Sequence, residues 1–420
     1  MEKDLNKHIN LIRRGTVEII QLDELRRKIK KAIESGTPLI VKAGFDPTAP
    51  DIHLGHTVLL RKLKHFQDLG HQVHFLIGDA TAIVGDPSGQ SQTRTTLTWD
   101  EIKKNVMTYV DQVSNILDTD ERSGKFKLVY NSAWFSNYRD TKKPPPFTFD
   151  NFVELAQRYT IARLLERDDF EKRYNENRPI SFLELFYPLM QGYDSVKMRS
   201  DVELGGNDQK FNMLVGRDLQ GAYGQEAQAV ITMPILEGLD GVKKMSKSLD
   251  NYVGINEPPD SMYGKLMSIS DEIMIRYYEL LTDEDVDAIK KGIQKNTLHP
   301  MDAKKSLAAM IVGEYHGKEK ALKAAENFGR AFSQKGFPEN IPLITKEAGG
   351  AAMPLVHVLS QVAGLTKSNG EAKRKIQEGA VEVNGKKIQQ VDFAIQAGKE
   401  YRIRLGKKFA RVLLTTSSGN

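Results

Sequence analysis

Apolar and polar positions follow two different rhythms along this chain. Leu39-Ile40-Val41 is a short apolar run, and Val73-His74-Phe75-Leu76-Ile77 is another. Between them Val58, Leu59, Leu63, Phe66 and Leu69 recur every three to four residues, the period of one helix face, and Gly70 is placed to end that helix. The three segments predict a βαβ unit. Further apolar runs at Leu128-Val129-Tyr130 and Ala229-Val230-Ile231, separated by helical stretches, extend it to an α/β domain with a Rossmann-like, largely parallel sheet. Such sheets bind ligands beyond the carboxyl ends of their strands. Arg139 to Phe149, with Pro144-Pro145-Pro146, interrupts the pattern as a surface connection.

After Pro258 the rhythm becomes helical as far as about Phe332, with Leu307, Met310 and Ile311 sharing one stripe of Ala303 to Tyr315. Gln334 to Ala352 contains Pro338, Pro342, Gly349 and Gly350 and reads as a linker. Beyond it, Ser368-Asn369-Gly370-Glu371 has the spacing of a capping box opening a short helix through Ile376, stopped by Gly379. Val381 and Val383 alternate with polar residues, Asn384-Gly385 is a hairpin dipeptide, and Tyr401 to Leu405 alternates again. The expected organisation is an α/β domain over 1–257, a small α-helical domain over 258–333, a linker over 334–350 and a C-terminal α+β domain over 351–420.

Composition narrows the class. With 420 residues the chain exceeds one compact core, and 40% hydrophobic with 27% charged residues excludes disordered and fibrous proteins. No apolar run is long enough to span a bilayer, and Met1-Glu2-Lys3-Asp4 leads into no apolar signal segment, so a cytoplasmic protein without a membrane partner is expected. The absence of cysteine excludes disulfides, thiolate metal sites and Cys nucleophiles. The net charge of +5 is unevenly spread: residues 351–420 hold 12 Lys+Arg against 5 Asp+Glu, a surplus of +7, which leaves −2 for the rest. A basic tail on a near-neutral body fits either a polyanionic partner such as nucleic acid or a solvated charged surface.

Two constellations carry chemistry. Gly44-Phe45-Asp46-Pro47-Thr48 and His53-Leu54-Gly55-His56 lie after the first strand and open the first helix. Imidazoles at a helix N-terminus sit where phosphate oxygens are held, and Gly55 lets a nucleobase approach closely; the bland alternative is two half-exposed histidines at an ordinary helix start. About 190 residues later comes Lys244-Met245-Ser246-Lys247-Ser248, flanked by Gly238, Gly241 and Gly254. Glycine flanks permit a mobile flap whose lysines meet the charge on a departing pyrophosphate, and the alternative is a solvated loop. Tyr187, Gln191 and Asp194 stand at i, i+4 and i+7, on one helix face.

With these signatures in this order the chain resembles the class I aminoacyl-tRNA synthetases. Gly44 to Thr48, Gly85-Asp86-Pro87-Ser88-Gly89 and Gly205-Gly206-Asn207-Asp208-Gln209 are similar to the loops of the bacterial tyrosyl-tRNA synthetase family, and Ala363 to Gly385 resembles an S4-type RNA-binding module. The resemblance covers roughly residues 35–415. It implies ATP-dependent activation of L-tyrosine to tyrosyl-adenylate and transfer to the 3′ end of tRNA(Tyr), with Mg2+ accompanying ATP, no protein metal ligands, and a homodimer joined around residues 110–180. Asp194 is then expected to accept the phenolic proton, with Tyr187, Gln191 and Asp86 on the α-ammonium. Thr48 and His53 would meet the γ-phosphate end, His56 the nucleotide, and Lys244 and Lys247 would close over it. Asp208 and Gln209 would hold the ribose and the amino-acid carboxylate side, and Asp46 the adenylate or ammonium region. In the tail, Lys373, Arg374, Lys375, Lys386 and Lys387 are candidate tRNA phosphate contacts. Two positions depart from the pattern: Lys42 stands where many relatives place a second tyrosine, and Gln90 where some have lysine. A tryptophanyl synthetase and a non-catalytic RNA-binding paralogue are the competing readings. Asp194 and the S4-like tail speak against the first, and the intact motifs against the second.

Overall fold

The computed structural model describes residues 2–47, 52–86, 98–138, 142–333, 341–348, 350–406 and 408–416. Thr48, Ser88, Gly89 and Gln90 lie outside them, as does 139–141 of the proline-rich connection. The chain forms two compact units, Met1–Leu322 and Lys323–Asn420.

The first unit is built on a six-stranded sheet of β1 (Glu18–Ile20), β2 (Ile40–Phe45), β3 (Gln72–Ile77), β4 (Phe126–Tyr130), β5 (Val202–Gly206) and β6 (Ala229–Met233), ordered β1-β6-β5-β2-β3-β4. β2 to β6 run parallel, and β1 pairs antiparallel with β6 at the edge. Val41, Ala43, Val73, Phe75, Val202, Leu204, Val230 and Ile231 are buried, as expected of strands covered on both faces. The helix Leu54–Asp68 returns from β2 to β3 with Leu54, Val58, Leu63 and Phe66 in the core, and Gly70 follows it at φ 86°. From β2 the chain proceeds to β3 and β4 on one side and then places β5 on the other. The carboxyl ends of β2 and β5 therefore diverge, which is the topological switch point of an open α/β sheet.

The helical region is real but is not a separate body. Helices Pro259–Ser268, Asp271–Leu281, Val286–Gln294 and Pro300–His316 belong to the first unit, and the division falls inside the following helix, Lys318–Ser333. Polar ties explain this departure from the expected boundary. Arg61 on the Leu54–Asp68 helix bonds Asp283 at 3.0 Å and Glu314 at 2.6 Å, Arg14 donates to the main-chain oxygens of Thr282, Asp283 and Glu284, and Tyr277 donates to Glu237 O at 2.8 Å.

The second unit corrects the linker expectation. Residues Leu343–Ala348 form β7, which runs parallel to β13 (Lys408–Thr416) at one edge of a five-stranded sheet, β10-β9-β12-β13-β7. Prolines and glycines flank this short strand and mask its pattern, while its Ile344 and Ala348 pack inward. The other members are β9 (Val381–Val383), β10 (Lys386–Ile388) and β12 (Glu400–Leu405), while β8 (Ala352–Pro354) pairs with β11 (Ala394–Gln396). The helix Asn369–Gln377 is capped by Ser368, which accepts from Glu371 N, and Gly379 follows at φ 67°. Asn384 and Gly385 have φ 49° and 80°, the left-handed pair of a tight hairpin between β9 and β10.

Candidate active site

A cavity of about 380 Å³ opens at the switch point. Gly44, Phe45 and Asp46 reach it from the end of β2, and Gly205, Gly206, Asp208 and Gln209 from the end of β5. His53, Gly55 and His56 border it from the helix start, Tyr187, Gln191 and Asp194 from the helix Phe182–Met198, and Asp86 and Lys244 complete the set. The structure thus gathers eleven of the residues expected at the site. Thr48 is outside the described residues, and Lys247 stands just beyond the lining, next to the histidines.

Asp194 forms the floor. It is 2% exposed; Oδ1 accepts from Trp134 Nε1 at 2.9 Å and Oδ2 from Asn131 Nδ2 at 3.3 Å. Burial pushes its carboxyl up to about 7, while the charge of Lys42 and the two hydrogen bonds pull the other way. Asn131 and Trp134 follow β4 directly, so the general rule about strand carboxyl ends covers them, yet neither was singled out in the sequence.

A second polar group lies around Asp46. Its Oδ2 accepts from Tyr187 OH at 2.8 Å and its Oδ1 from Thr81 Oγ1 at 2.8 Å. Burial and the facing carboxylate of Asp46 hold the Tyr187 hydroxyl protonated. The approach needs glycine at 78, because a Cβ there would stand 2.1 Å from Asp46 Oδ1. Nearby, Asp86 accepts from Gln209 Nε2 at 2.7 Å, and Arg167, 5% exposed, approaches its other oxygen at 3.7 Å. Gln191 and Gln209 each accept from Asn212 Nδ2, at 3.0 and 3.1 Å. Arg167 and Asn212 were also missed; their residue types carry no motif, and only the fold brings them behind Asp86 and the two glutamines.

At the mouth, His53 is the N-cap of the Leu54–Asp68 helix. Its Nδ1 accepts from Gly55 N at 3.1 Å, and its own N–H donates to His56 Nδ1 at 3.2 Å. With both Nδ1 atoms accepting, both protons sit on Nε2. Burial lowers His53 to about 3 and His56 to about 4, with neighbouring positive charge adding to it. The imidazoles are therefore neutral N–H donors at ordinary pH, and the positive charge of the mouth comes from the lysines.

Lys244 sits on a hydrogen-bonded hairpin rather than the slack flap its glycines suggested, and Lys247 opens the short 3₁₀ turn Lys247–Leu249 that follows it. Met245 N donates to Leu236 O and Gly238 N to Lys243 O, both at 2.8 Å. Asn251 braces the turn: it accepts from Ser246 N at 2.8 Å and donates to Asp240 at 2.8 Å. A Cβ at Gly238 would meet Asn251 Nδ2 at 2.2 Å, and Gly241 turns at φ 71°, so these glycines serve close packing and a tight turn. The hairpin's exit pairs with the helix start through a bridge between His53 and Gly254. Tyr252, unmarked in the sequence, lies with its ring 6.3 Å from that of His53 and 6.0 Å from the Lys247 ammonium.

In the second unit, Lys373 and Arg374 are exposed on the Asn369–Gln377 helix and Lys386 and Lys387 on β10, while Lys375 pairs with Glu378 at 2.7 Å. Exposure leaves the first four open to solvent-borne phosphates.

Residues 34–333 match the family described as tRNA synthetases class I (W and Y). The chain belongs to that family, whose members use ATP. The tail sharpens the placement, because residues 333–409 match the tyrosine–tRNA ligase SYY-like C-terminal domain. Among curated proteins, the tyrosine–tRNA ligase of Oleidesulfovibrio alaskensis is 51% identical over 98% of this chain and 100% of its own. That of Geobacter sulfurreducens is 50% identical over 96% and 97%. The fold is also that of a solved tyrosyl-tRNA synthetase complexed with L-tyrosine from Archaeoglobus fulgidus, with a TM-score of 0.58, 23% identity, and 76% of this chain and 99% of that one covered.

Proposed function

We propose that the cavity holds tyrosine with its phenol on Asp194 and its ammonium among Tyr187, Gln191 and Asp86, and holds ATP across the switch point beneath the hairpin. The chain joins tyrosine to tRNA in two steps, forming tyrosyl-adenylate with release of pyrophosphate and then tyrosyl-tRNA. In the first step the substrate's own carboxylate attacks the α-phosphorus, so neither a protein nucleophile nor a general base is needed, and catalysis is positioning plus charge stabilisation. His53 and His56 donate through Nε2 to phosphate oxygens, with Thr48 on the γ-phosphate end, and Lys244 and Lys247 meet the charge that builds on the leaving pyrophosphate. Asp208 holds the ribose and Gln209 the carboxylate side. Asp46, already accepting from Tyr187 and Thr81, fixes the tyrosine that faces the ammonium.

Magnesium enters with ATP as part of that substrate; among the described residues no cluster of three metal-ligating side chains offers a cage of its own. The basic surface of the second unit, through Lys373, Arg374, Lys386 and Lys387, contacts tRNA phosphates, with Lys375 assisting. Two copies join around residues 110–180, where Phe149 and Ile161 are exposed at 77% and 61%, apolar side chains that a second copy would cover. A cytoplasmic location, beside the tRNA pool that it would serve, goes with this reading. Among the described residues no helix is long and apolar enough to cross a membrane.

The observation that carries this reading is the meeting of both signature segments at one cavity floored by a buried carboxylate. ATP–pyrophosphate exchange run side by side with tyrosine, tryptophan and phenylalanine tests it. Tyrosine alone is expected to support rapid exchange, and equal exchange with tryptophan, or none with any of the three, would overturn it.

A further inference from the structure

Lys42 lines the cavity, is fully buried, and has no part in the chemistry above. Its ammonium meets three acceptors: Gln191 O at 3.1 Å, Ser195 Oγ at 2.7 Å and Glu203 Oε1 at 3.0 Å. An ammonium has three donors, so these partners match its capacity. Glu203, also buried, accepts in addition from Ser195 Oγ at 3.0 Å and from the side-chain amide of Gln228. The contacts join β2, β5 and the one helical turn in which Gln191 and Ser195 flank Asp194. The helix Lys210–Ala222 closes over this network only because residue 216 is glycine. A Cβ there would stand 2.8 Å from both Gln228 Nε2 and Ser195 Oγ.

An ion pair buried this deeply contributes little net stability compared with apolar residues of the same volume. What it adds is a fixed positive charge and a fixed helical turn beside a carboxylate. The charged and titratable groups facing Asp194 are Lys42 from β2, Glu203 from β5 and Tyr187 on its own helix, and Trp134 and Asn131 add neutral donors. Of the two charges in the pair, that of Lys42 acts the more strongly on Asp194. A buried carboxyl without such a neighbour takes up a proton. Protonated, it becomes a donor itself, and a ligand lacking a hydroxyl is penalised less.

We propose that Lys42, held in place by Glu203, is a positioning residue for Asp194: it anchors the helical turn, favours the carboxylate over the carboxylic acid, and thereby strengthens the preference for a phenol over a phenyl ring. This rests on the reading of Asp194 as the phenol's acceptor, and the test separates the two.

The test measures ATP–pyrophosphate exchange with tyrosine and with phenylalanine, from about pH 6 to about pH 9, for the wild-type protein and for K42M, K42M/E203Q and D194N. In K42M the acid limb of kcat/KM for tyrosine moves upward by about one pH unit, a loss of ~10-fold below the limb. The loss lies mainly in KM, and the tyrosine-to-phenylalanine ratio falls with it. K42M/E203Q moves the limb in the same direction but less, because no unpaired Glu203 remains. If K42M does not fold, the double variant decides by the same criterion. A limb and ratio at wild-type values in the double variant overturn the inference, even if K42M alone shifts, since the unpaired glutamate would then be the cause. If D194N loses the preference while both Lys42 variants keep it, only this inference fails. If D194N also keeps it, the reading of Asp194 has failed.

Discussion

His53 and Gly254, two hundred positions apart, face each other across an antiparallel bridge, and beside it Leu54 N donates to Val253 O at 3.0 Å. Main chain, not side chain, therefore fixes the distance between the histidines and the lysine hairpin. Side-chain substitutions on either segment should change the charge at the mouth without dismantling it.

Lys247→Ala is the direct case. A contact made to charge that appears only in the transition state is worth about 2–4 kcal/mol, or ~10²–10³ in rate. Single-turnover formation of the adenylate should slow by that factor while the equilibrium affinity for tyrosine stays within about twofold. An unchanged single-turnover rate would remove Lys247 from the mechanism.

Asp194→Asn keeps the shape of the floor and removes its charge. A hydrogen bond to a charged group is worth about 1.5–3 kcal/mol, so the tyrosine-over-phenylalanine ratio of kcat/KM should fall by ~10- to 100-fold. Competition between the two amino acids in pyrophosphate exchange measures it, and a ratio equal to wild type contradicts the assignment.

The parallel sheet was legible because its strands are buried on both faces and so appear as unbroken apolar runs, and the mouth was legible because His53, His56 and the lysine segment are short contiguous motifs. What escaped depends on neighbours distant in the chain. Lys42 and Glu203, about 160 residues apart, become an ion pair only once β5 lies against β2. Asn131 and Trp134 acquire their role only when the segment after β4 reaches Asp194. The charge state of the histidines was equally hidden, since burial rather than residue type sets it. β7 was lost among prolines and glycines because four of its six residues are exposed and its run Thr345-Lys346-Glu347 is polar.

Acid should destabilise the protein early. Burial leads in lowering His53 to about 3 and His56, His71 and His74 to about 4. Each is neutral in the folded chain and takes up a proton on unfolding below its ordinary value of about 6.5, so its contribution is present above that pH and is lost as pH falls toward 4 and 3. Asp194, raised to about 7, runs in the opposite direction and offsets one of the four. The remainder can remove up to ~1.4 kcal/mol per group per pH unit. Urea unfolding should show a clearly lower midpoint at about pH 5 than at about pH 7, and coincident midpoints would contradict the burial of these rings.

The two units should separate by function. A chain ending at Pro342 keeps the whole first unit and loses the second unit's sheet. Pyrophosphate exchange with tyrosine should persist at near wild-type rate, while tRNA charging falls below detection. With the full chain, Lys386→Glu/Lys387→Glu should raise the KM for tRNA and lower the slope of its logarithm against log salt by about 1–2, one phosphate contact per lysine. Equal loss of both activities on truncation, or an unchanged salt slope, would contradict this division.

β7 has a consequence for the birth of the molecule. The strand emerges from the ribosome about sixty residues before β13, which among the described residues is the one strand it pairs with (residues 348 to 408). Until that partner arrives its main-chain edge is open to strangers. Synthesis that pauses or stops within that interval would leave an adhesive nascent edge, so the second unit's solubility during translation turns on how quickly β13 follows β7.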